Sequence, residues 1–437
     1  MITKHCLFSV MIAFTLVISS QSWAELTIEI TQGVDNPTPV AVSPFSWGGT
    51  EPLPEKIGAI IENDLKFSGR FDLLSQADML SYPDATQNVF YRDWRALGRD
   101  YLLVGKITPA ADNKVEIRYS LMDINRQSKI FTKTLTAPKT ALRDAAHRIS
   151  DQAFEALTGI DGAFSTKILY ITSKFLGKGK FNYKLWRSDF DGERATLILN
   201  SDEPIMSPTW SPNGKDIAYV SFEAGRPAIF KQTLSNGKRE KLTHFKGMNS
   251  SPAFSPDGQQ IAFVLSKDGS PDIYVMNLAS KKMTKVGSNS FAIDTEPTWL
   301  PDGKTIAFTS NRGGKPQIYQ VNLTSGSTTR LSYDGDYNAR ARAMPDGSGL
   351  ILVNRTHGQF QIARYDLKRQ RTYVLTNTNL DESPSIAPNG SMVMYAAKRN
   401  GQGVLAVVSV DGMVKSIIPA KAGLNVREPA WSPYINR

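Results

Sequence analysis

The chain has 437 residues, of which 51 are Lys or Arg and 41 are Asp or Glu, giving a formal net charge of +10. This length exceeds that of one ordinary compact domain and favours two domains or a repeat array with an appended domain. The basic residues are scattered among acidic ones, which is typical of a solvated surface. We therefore expect neither a nucleic-acid partner nor insertion into a membrane.

Residues 1–24 have the features of a secretory signal. Lys4 precedes the apolar run CLFSVMIAFTLVI, and the tripeptide SWA provides a small-x-small cleavage pattern. The run is shorter than the roughly 20 residues that a helix needs to cross a bilayer. An exported mature chain beginning at Glu25 is predicted. It would contain no disulfide and no cysteine metal ligand, because the single Cys6 lies in the signal.

Residues 25–160 mix strand and helix patterns. The runs LTIEIT, PVAVSPF, YLLVGKIT and VEIRYSLMDI are typical of strands. Residues 54–69 place apolar side chains on one helical face after a first-turn proline, and they end in glycine. Residues 140–159 form a second amphipathic pattern, with Thr140 as the predicted N-cap. These elements predict a small α/β domain that is joined to the rest of the chain near residue 161.

A repeat with a turn inside each copy occupies the rest of the chain. Its prolines, followed in most copies by Asn-Gly or Asp-Gly, are Pro212, Pro256, Pro301, Pro345, Pro388 and Pro433, separated by 43 to 45 residues. Such a turn joins two short apolar runs, as in PTWL and TIAFTS, and two further runs complete each copy. Four antiparallel strands in a unit of this length are typical of one β-propeller blade.

The two ends of the array complement each other. The last copy, WSPYINR, stops after one strand, whereas TKILYITS, YKLWRSDF and ATLILN have no first strand before them. Pairing the last strand with these three completes a sixth blade and removes two exposed sheet edges. The predicted fold is mainly β: a six-bladed β-propeller at residues 162–437, closed by N- and C-terminal strands and preceded by the small α/β domain.

Motifs that carry chemistry are weak in this sequence. It contains no G-x-S-x-G nucleophile elbow, no H-E-x-x-H pair and no Gly-rich phosphate loop. His147, His244 and His357 are predicted to be surface or structural residues, and the acidic segments DFDGER and DGDY lack the full set of calcium ligands. No catalytic residue, metal ion or cofactor is expected. Two alternatives stay open: a propeller-based hydrolase or peptidase accessory with a site in the channel, and a scaffold that binds a small molecule or cation in the channel.

One mouth of the central channel is the predicted binding surface. In a propeller, the connections that lead from one blade to the innermost strand of the next end at the same mouth. They end at Met206-Ser207, Ser250-Ser251, Thr295-Glu296, Arg340-Ala341, Glu382-Ser383 and Arg427-Glu428. Two interpretations of the carboxylates carry equal weight: they accept neighbouring backbone N–H groups, or they bind a partner. Met248, Phe291 and Tyr337 are candidate apolar anchors for that partner.

Several segments together resemble the TolB family of periplasmic propeller proteins, which belongs to the Tol-Pal system of Gram-negative bacteria. They are FSWGG with PEKIGAIIENDLKFSGRFDLLS, TGIDGAFSTKILYI, SPTWSPNGKDIAYVSFE, DTEPTWLPDGKTIAFTS and PAWSPY. The resemblance covers nearly the whole mature chain. It implies a monomeric, non-enzymatic adaptor of the periplasm that supports outer-membrane integrity and envelope constriction during cell division.

The resemblance also implies partners. In the TolB family the channel-mouth face binds the lipoprotein Pal and the N-terminal segment of the mature chain binds TolA, while other outer-membrane proteins and bacteriocins are further partners. The Pal contacts implied by position are Met206, Ser207, Lys246, Met248, Asn249, Ser250, Ser251, Thr295, Glu296, Pro297, Tyr337, Glu382, Arg427 and Glu428. The implied TolA contacts are Glu25, Leu26, Thr27, Ile28, Glu29 and Ile30. This segment alternates apolar and polar residues as an added strand does, and its docking on the protein itself would provide a switch.

Overall fold

The computed structural model describes residues 29–287, 291–418 and 423–435. The predicted signal, residues 1–24, lies outside them. The first strand, β1 (Glu29–Gln32), joins a sheet of the propeller, and the helices are α1 (Ile57–Phe67), α2 (Tyr91–Ala96) and α3 (Leu142–Thr158). Short 3-10 helices lie at Gln76–Asp78, Thr86–Asn88 and Lys139–Ala141. In this part of the chain no helix is long and apolar enough to span a membrane.

The N-terminal region is a six-stranded sheet packed against helices. Its strands are β2 (Thr38–Val42), β3 (Ser46–Trp47), β4 (Phe71–Leu73), β5 (Tyr101–Ala110), β6 (Lys114–Asp123) and β7 (Ser128–Pro138). Their order is β4-β2-β5-β6-β7, with β3 beside β5. Strands β2 to β5 pair in parallel, whereas β5, β6 and β7 form an antiparallel meander. Helices α1 and α3 bury Ile61, Leu65 and Ile149 against this sheet.

Both predicted helices are present, but their starts differ from the prediction. Helix α1 begins at Ile57 rather than at residue 54. The prediction of Thr140 as the N-cap of α3 is wrong, because Thr140 lies in a 3-10 turn and the N-cap position is Ala141, whose side chain accepts no hydrogen bond. The end of α3 agrees with the sequence, since its C-cap Gly159 has a φ of 72°, a left-handed conformation that favours glycine.

The remaining strands form six four-stranded blades around a central channel. Blade 6 begins with β8 (Lys167–Gly177), β9 (Lys180–Asp189) and β10 (Thr196–Ser201). Blades 1 to 3 contain β11 (Ile205–Trp210), β12 (Asp216–Ser221), β13 (Ala228–Thr233), β14 (Arg239–Thr243), β15 (Asn249–Phe254), β16 (Gln260–Leu265), β17 (Asp272–Asn277), β18 (Met283–Val286), β19 (Asp294–Trp299), β20 (Thr305–Ser310), β21 (Gln317–Asn322) and β22 (Thr328–Arg330). Blades 4 and 5 contain β23 (Tyr337–Ala343), β24 (Gly349–Thr356), β25 (Gln359–Asp366), β26 (Arg371–Val374), β27 (Glu382–Ile386), β28 (Met392–Arg399), β29 (Gln402–Ser409) and β30 (Lys415–Ile418).

The last strand, β31 (Asn425–Trp431), closes the ring. It pairs antiparallel with β8, from Asn425 opposite Ser173 to Trp431 opposite Ile168. The buried Trp431 ring fixes the junction, because its Nε1 donates to Thr166 Oγ1 at 2.7 Å. The predicted closure of the sixth blade is therefore confirmed. The strand ends at Trp431, the first residue of the final segment WSPYINR, and the N–H of Ser432 then donates to the Lys167 carbonyl at 2.8 Å.

An ion cluster joins the N-terminal region to blade 6. Its acidic members are Asp64, Asp144, Asp189 and Asp191, and its basic members are Arg143, His147, Lys167 and Arg194. They are contributed by α1, α3, β8, β9 and the connection between β9 and β10. Four acidic groups thus face four basic groups, with His147 counted among the basic ones.

Asp189 is the most connected member of the ion cluster. Its carboxylate is almost completely buried and accepts hydrogen bonds from Lys167 Nζ at 2.5 Å, Arg194 Nε at 2.7 Å and Arg143 Nε at 3.2 Å. Burial alone would raise the pKa of Asp189, but the neighbouring positive groups of His147, Arg194 and Lys167 hold it well below its ordinary value. The carboxylate is therefore ionised at neutral pH.

His147 supplies the fourth positive charge of the cluster. Its ring is completely buried, with Nδ1 2.8 Å from Asp64 Oδ2 and Nε2 3.6 Å from Asp189 Oδ2. Burial lowers the pKa of His147, but the carboxylates of Asp64 and Asp189 outweigh burial and raise it to about 10. The prediction of a structural histidine agrees with this geometry, since the ring has no access to solvent.

Three members of the cluster have the residue types and the spacing of a metal site. Ligand atoms of Asp64, His147 and Asp191 lie within 4.8 Å of one another. Those atoms already have partners, because Asp64 accepts a hydrogen bond from Ser150 Oγ at 2.6 Å and Asp191 accepts one from Arg143. We therefore interpret the group as part of a balanced ion network, which fixes α1 and α3 on the propeller.

Candidate partner-binding face

A bulge with a left-handed residue recurs in every innermost strand, close to the channel mouth. The residues with φ between 50° and 57° at this position are Ser207, Ser251, Glu296, Arg340, Ser383 and Glu428, and the pairing register of each strand shifts there. The next residue is proline in five blades and Ala341 in the fourth. A bulge re-aims a side chain, and these six residues all line the central channel, a cavity of about 300 Å³.

Two of the predicted mouth carboxylates hold the backbone of a neighbouring blade. Glu428 accepts a hydrogen bond from the N–H of Ser207. Glu296 Oε2 accepts one from the N–H of Arg340 at 2.9 Å, and its Oε1 accepts one from Arg340 Nε at 2.8 Å. Glu296 and Glu428 therefore accept neighbouring backbone N–H groups, as the first of the two interpretations expected. The third carboxylate, Glu382, is exposed. The Arg340 guanidinium also donates to Ser383 Oγ, which extends the network to a third blade.

Arg342 is a channel residue that the sequence reasoning missed. It follows the left-handed Arg340 by two positions, where the other blades have Thr, Ala or Ser. Burial and the neighbouring Arg340 lower the pKa of Arg342, although Glu296 acts in the opposite direction. Aligning the innermost strands on their prolines would have revealed this additional arginine facing the channel.

A groove of about 680 Å³ opens beside the channel, between blades 4, 5 and 6. Among its lining residues are Tyr337, Glu382 and Arg427, which the sequence assigned to the mouth, and Phe360 and Leu380, which it did not. Tyr337 packs edge-on against Phe360 at 5.4 Å. Leu380 is 51% exposed. The groove thus combines apolar side chains with both signs of charge, a composition typical of protein-binding surfaces.

The second and third strands of blades 4 to 6 raise the walls of this groove. They have eight residues in blades 4 and 5 and ten or eleven in blade 6, against six in blades 1 to 3. The longer hairpins extend past the innermost strands on the mouth side. This asymmetry makes the two halves of the mouth different, so the groove lies on one side of the ring.

The predicted contacts on blade 2 divide into exposed and buried residues. Met248 is 38% exposed and Lys246 is exposed, so both side chains are accessible. Asn249 is completely buried, with its side-chain amide bonded to the N–H and the carbonyl of Phe245 at 3.0 and 2.8 Å. It therefore shapes the loop that presents Met248. Ser250 and Ser251 are half-buried.

The other predicted contacts are spread around the ring. Met206 is half-buried and packs against the apolar cluster between blades 1 and 2. Thr295 is half-buried and Pro297 is buried. Phe291 is 93% exposed, at the rim of blade 3.

The N-terminal strand is docked on the propeller. β1 pairs antiparallel with β30 as a fifth strand of blade 5, with Glu29 opposite Ile417 and Ile30 opposite Ser416. Thr31 Oγ1 also donates to the Lys415 carbonyl at 3.1 Å. The predicted TolA contacts Glu25, Leu26, Thr27 and Ile28 lie outside the described residues.

Comparisons with known proteins agree with this architecture. Two family models match the chain: one described as the TolB amino-terminal domain at residues 26–130, and one described as the TolB beta propeller domain at residues 154–435. The chain belongs to the TolB family. Tol-Pal system proteins TolB from Pseudomonas aeruginosa and Pseudomonas fluorescens are 51% and 49% identical to it, over 93% and 94% of this chain and 94% and 95% of theirs.

A solved TolB structure extends the agreement to three dimensions. The crystal structure of TolB from Acinetobacter baumannii is 38% identical, has a TM-score of 0.84 and covers 94% of this chain and 100% of its own. The TolB family assignment therefore rests on both regions of the chain, and the predicted membership and fold are confirmed. This family assignment places the chain in the Tol-Pal system.

Proposed function

We propose that this protein is a non-enzymatic adaptor of the periplasm that binds Pal through the mouth of the propeller. The observation that carries the proposal is the asymmetric groove beside the channel, where Tyr337, Phe360 and Leu380 lie next to Glu382 and Arg427. Tyrosine and arginine are among the residues that most often dominate binding energy at protein interfaces, and Tyr337 and Arg427 supply both. Membership of the Tol-Pal system supports Pal as the partner.

The N-terminal strand is the proposed binding segment for TolA. Strand addition uses main-chain hydrogen bonds, and β1 already makes such bonds with β30. A strand that pairs with TolA must first leave blade 5, so docking on β30 and binding to TolA exclude each other. The protein would in this way switch between two states. Its proposed role is to support outer-membrane integrity and envelope constriction during cell division.

Pal binding is expected to weaken when the mouth is altered. Glu296→Lys reverses the charge that Arg340 contacts at 2.8 Å, and Thr295→Asp places a carboxylate beside it. Leu380→Ser removes an exposed apolar contact without disturbing the core. We expect Glu296→Lys to weaken binding of Pal by roughly 30-fold or more, because it reverses a charge on the proposed binding face and releases the Arg340 backbone that Glu296 holds there. Isothermal titration of purified Pal into the chain from Glu25 measures the dissociation constant.

The matched control is Lys304→Glu, a charge reversal at an exposed turn on the opposite face of blade 3. Its dissociation constant should equal that of the unmodified chain. Thermal unfolding of each variant separates a lost contact from a lost fold. Unchanged Pal affinity in all three folded mouth variants would remove this face from the interface.

A further inference from the structure

The hairpin formed by β8 and β9 projects beyond both of its neighbours. Pairing of β31 with β8 begins at Ser173, and pairing of β10 with β9 ends at Tyr183. Residues 174–182 therefore pair only with each other, from Lys174 opposite Asn182 to Gly177 opposite Lys180. Four further residues per strand at 3.3 Å each make a tip of roughly 13 Å. Since Ser173 lines the groove, the tip points outward from the mouth side.

The hairpin tip (residues 174–181) presents apolar side chains to solvent. Phe175 is 58% exposed, Leu176 is 56% exposed and Phe181 is 38% exposed. Phe175 and Phe181 are cross-strand partners with ring centroids 5.1 Å apart, and Phe181 lies 6.1 Å from Tyr183 on the same face. The cross-strand aromatic pair stabilises the hairpin, but Phe175 and Leu176 remain more than half exposed, so their position needs a further explanation.

Three lysines surround these apolar side chains. Lys174, Lys178 and Lys180 are exposed. Among the residues that the structure describes, no carboxylate lies within ion-pair distance of their amino groups. At the hairpin base, Asp202 accepts a hydrogen bond from Asn182 at 3.1 Å. The hairpin tip thus carries three uncompensated positive charges around an apolar end.

We propose that the hairpin tip docks reversibly on a lipid surface that carries anionic headgroups. The lysines would contact headgroup phosphates, while Phe175, Leu176 and Phe181 would enter the boundary between headgroups and acyl chains. Such peripheral binding needs two signals together, a basic one and an apolar one, and the tip has both. The mouth face would then be held towards the membrane. This proposal departs from the expectation that the positive excess is only a solvated surface.

Flotation of the chain from Glu25 with lipid vesicles tests this proposal. Vesicles of phosphatidylcholine mixed with phosphatidylglycerol should carry the protein upward at low salt, and vesicles of phosphatidylcholine alone should not. Replacing the three tip lysines (Lys174→Gln, Lys178→Gln, Lys180→Gln) should weaken partitioning roughly a hundredfold, given the typical contribution of each lysine at an anionic surface. Phe175→Ser with Leu176→Ser should also reduce it at unchanged charge.

The matched control removes three exposed lysines from turns on the opposite face, with Lys238→Gln, Lys282→Gln and Lys304→Gln. Its net charge equals that of the tip variant, so equal loss of binding in both would show a non-specific charge effect and overturn the proposal. Failure of the unmodified chain to float with anionic vesicles would also overturn it. A third outcome would overturn it as well: the tip variants lose binding of Pal or TolA, and the unmodified chain does not bind vesicles. The tip would then belong to a protein interface. Neither Pal nor TolA is present in the flotation, so the result is independent of the proposed adaptor function.

Discussion

Asp189→Asn is expected to lower the free energy of unfolding by about 3 kcal/mol, because removing one partner from a buried ion network leaves the opposite charges uncompensated. The lost carboxylate bonds Lys167, Arg194 and Arg143 within 3.2 Å. The amide is nearly the same size, so the change removes charge without creating a cavity. Urea unfolding monitored by circular dichroism measures the difference. Because the cluster joins α3 to blade 6, the N-terminal region should also unfold separately from the propeller.

Glu155→Gln is the matched control for this prediction. Glu155 is an exposed carboxylate on the same helix, α3, so its replacement should change stability by less than 0.5 kcal/mol, the usual range at a surface. A loss of stability in Asp189→Asn no larger than in Glu155→Gln would show that the ion cluster contributes nothing to the union of the two regions.

The effect of Asp189→Asn should also depend on pH. The pKa of His147 is raised from 6.5 to about 10 in the folded protein. A group with a raised folded pKa stabilises the fold fully below its unfolded pKa and loses that contribution as pH rises through the folded value. The stability difference between the unmodified chain and Asp189→Asn should therefore be largest between about pH 5 and 6.5 and should narrow between pH 6.5 and about 10. It should also narrow in acid, because the pKa of Asp189 is lowered in the folded protein and its contribution is lost as the carboxylate is protonated.

Locking β1 onto β30 is expected to abolish TolA binding. The double variant Ile30→Cys with Ser416→Cys places two thiols at positions that face each other across the strand pair. The predicted mature chain has no other cysteine, since Cys6 lies in residues 1–24. When the disulfide is formed, the strand cannot leave blade 5 to pair with another sheet. A pull-down with the periplasmic domain of TolA measures binding of the oxidised and reduced forms.

The reduced form of the same double variant is the control for the lock. Reduction should restore TolA binding, whereas Pal binding should be the same in both forms because the mouth is untouched. Retained TolA binding by the fully oxidised protein would mean that TolA uses a different part of the chain, or that it binds the docked strand.

The propeller could be predicted from the sequence because its signals are local and repeated. The Pro-Asp-Gly turns, such as that at Gly303, fix each hairpin through turn chemistry, and the missing strand at each end of the array leaves one way to close the ring. The bulge in each innermost strand also has a local signal, since a mouth residue precedes proline in five of six blades. Reading that signal would have identified blade 4 as the exception, since Ala341 replaces the proline there and Arg342 follows it.

The ion cluster and the groove could not be predicted in this way. The cluster unites Asp64, His147 and Asp189 from elements far apart in the sequence, and buried charges contradict the usual expectation that charged side chains stay solvated. The segment DFDGER therefore resembled an incomplete calcium loop. The groove forms only where the closed ring places the long hairpins of blades 4 to 6 side by side. No single hairpin carries a sequence signal for it.

Hydrogen–deuterium exchange of the chain with and without Pal tests the central claim most directly, since it reports which face of the ring is covered. The account predicts slower exchange on Pal binding in residues 246–251, 294–297, 337–341, 380–383 and 425–428, which surround the channel mouth. Exchange in the Pro-Asp-Gly turns of the opposite face, such as residues 255–258 and 300–303, should not change. Protection of those turns, with the mouth segments unaffected, would contradict the assignment of the partner-binding face.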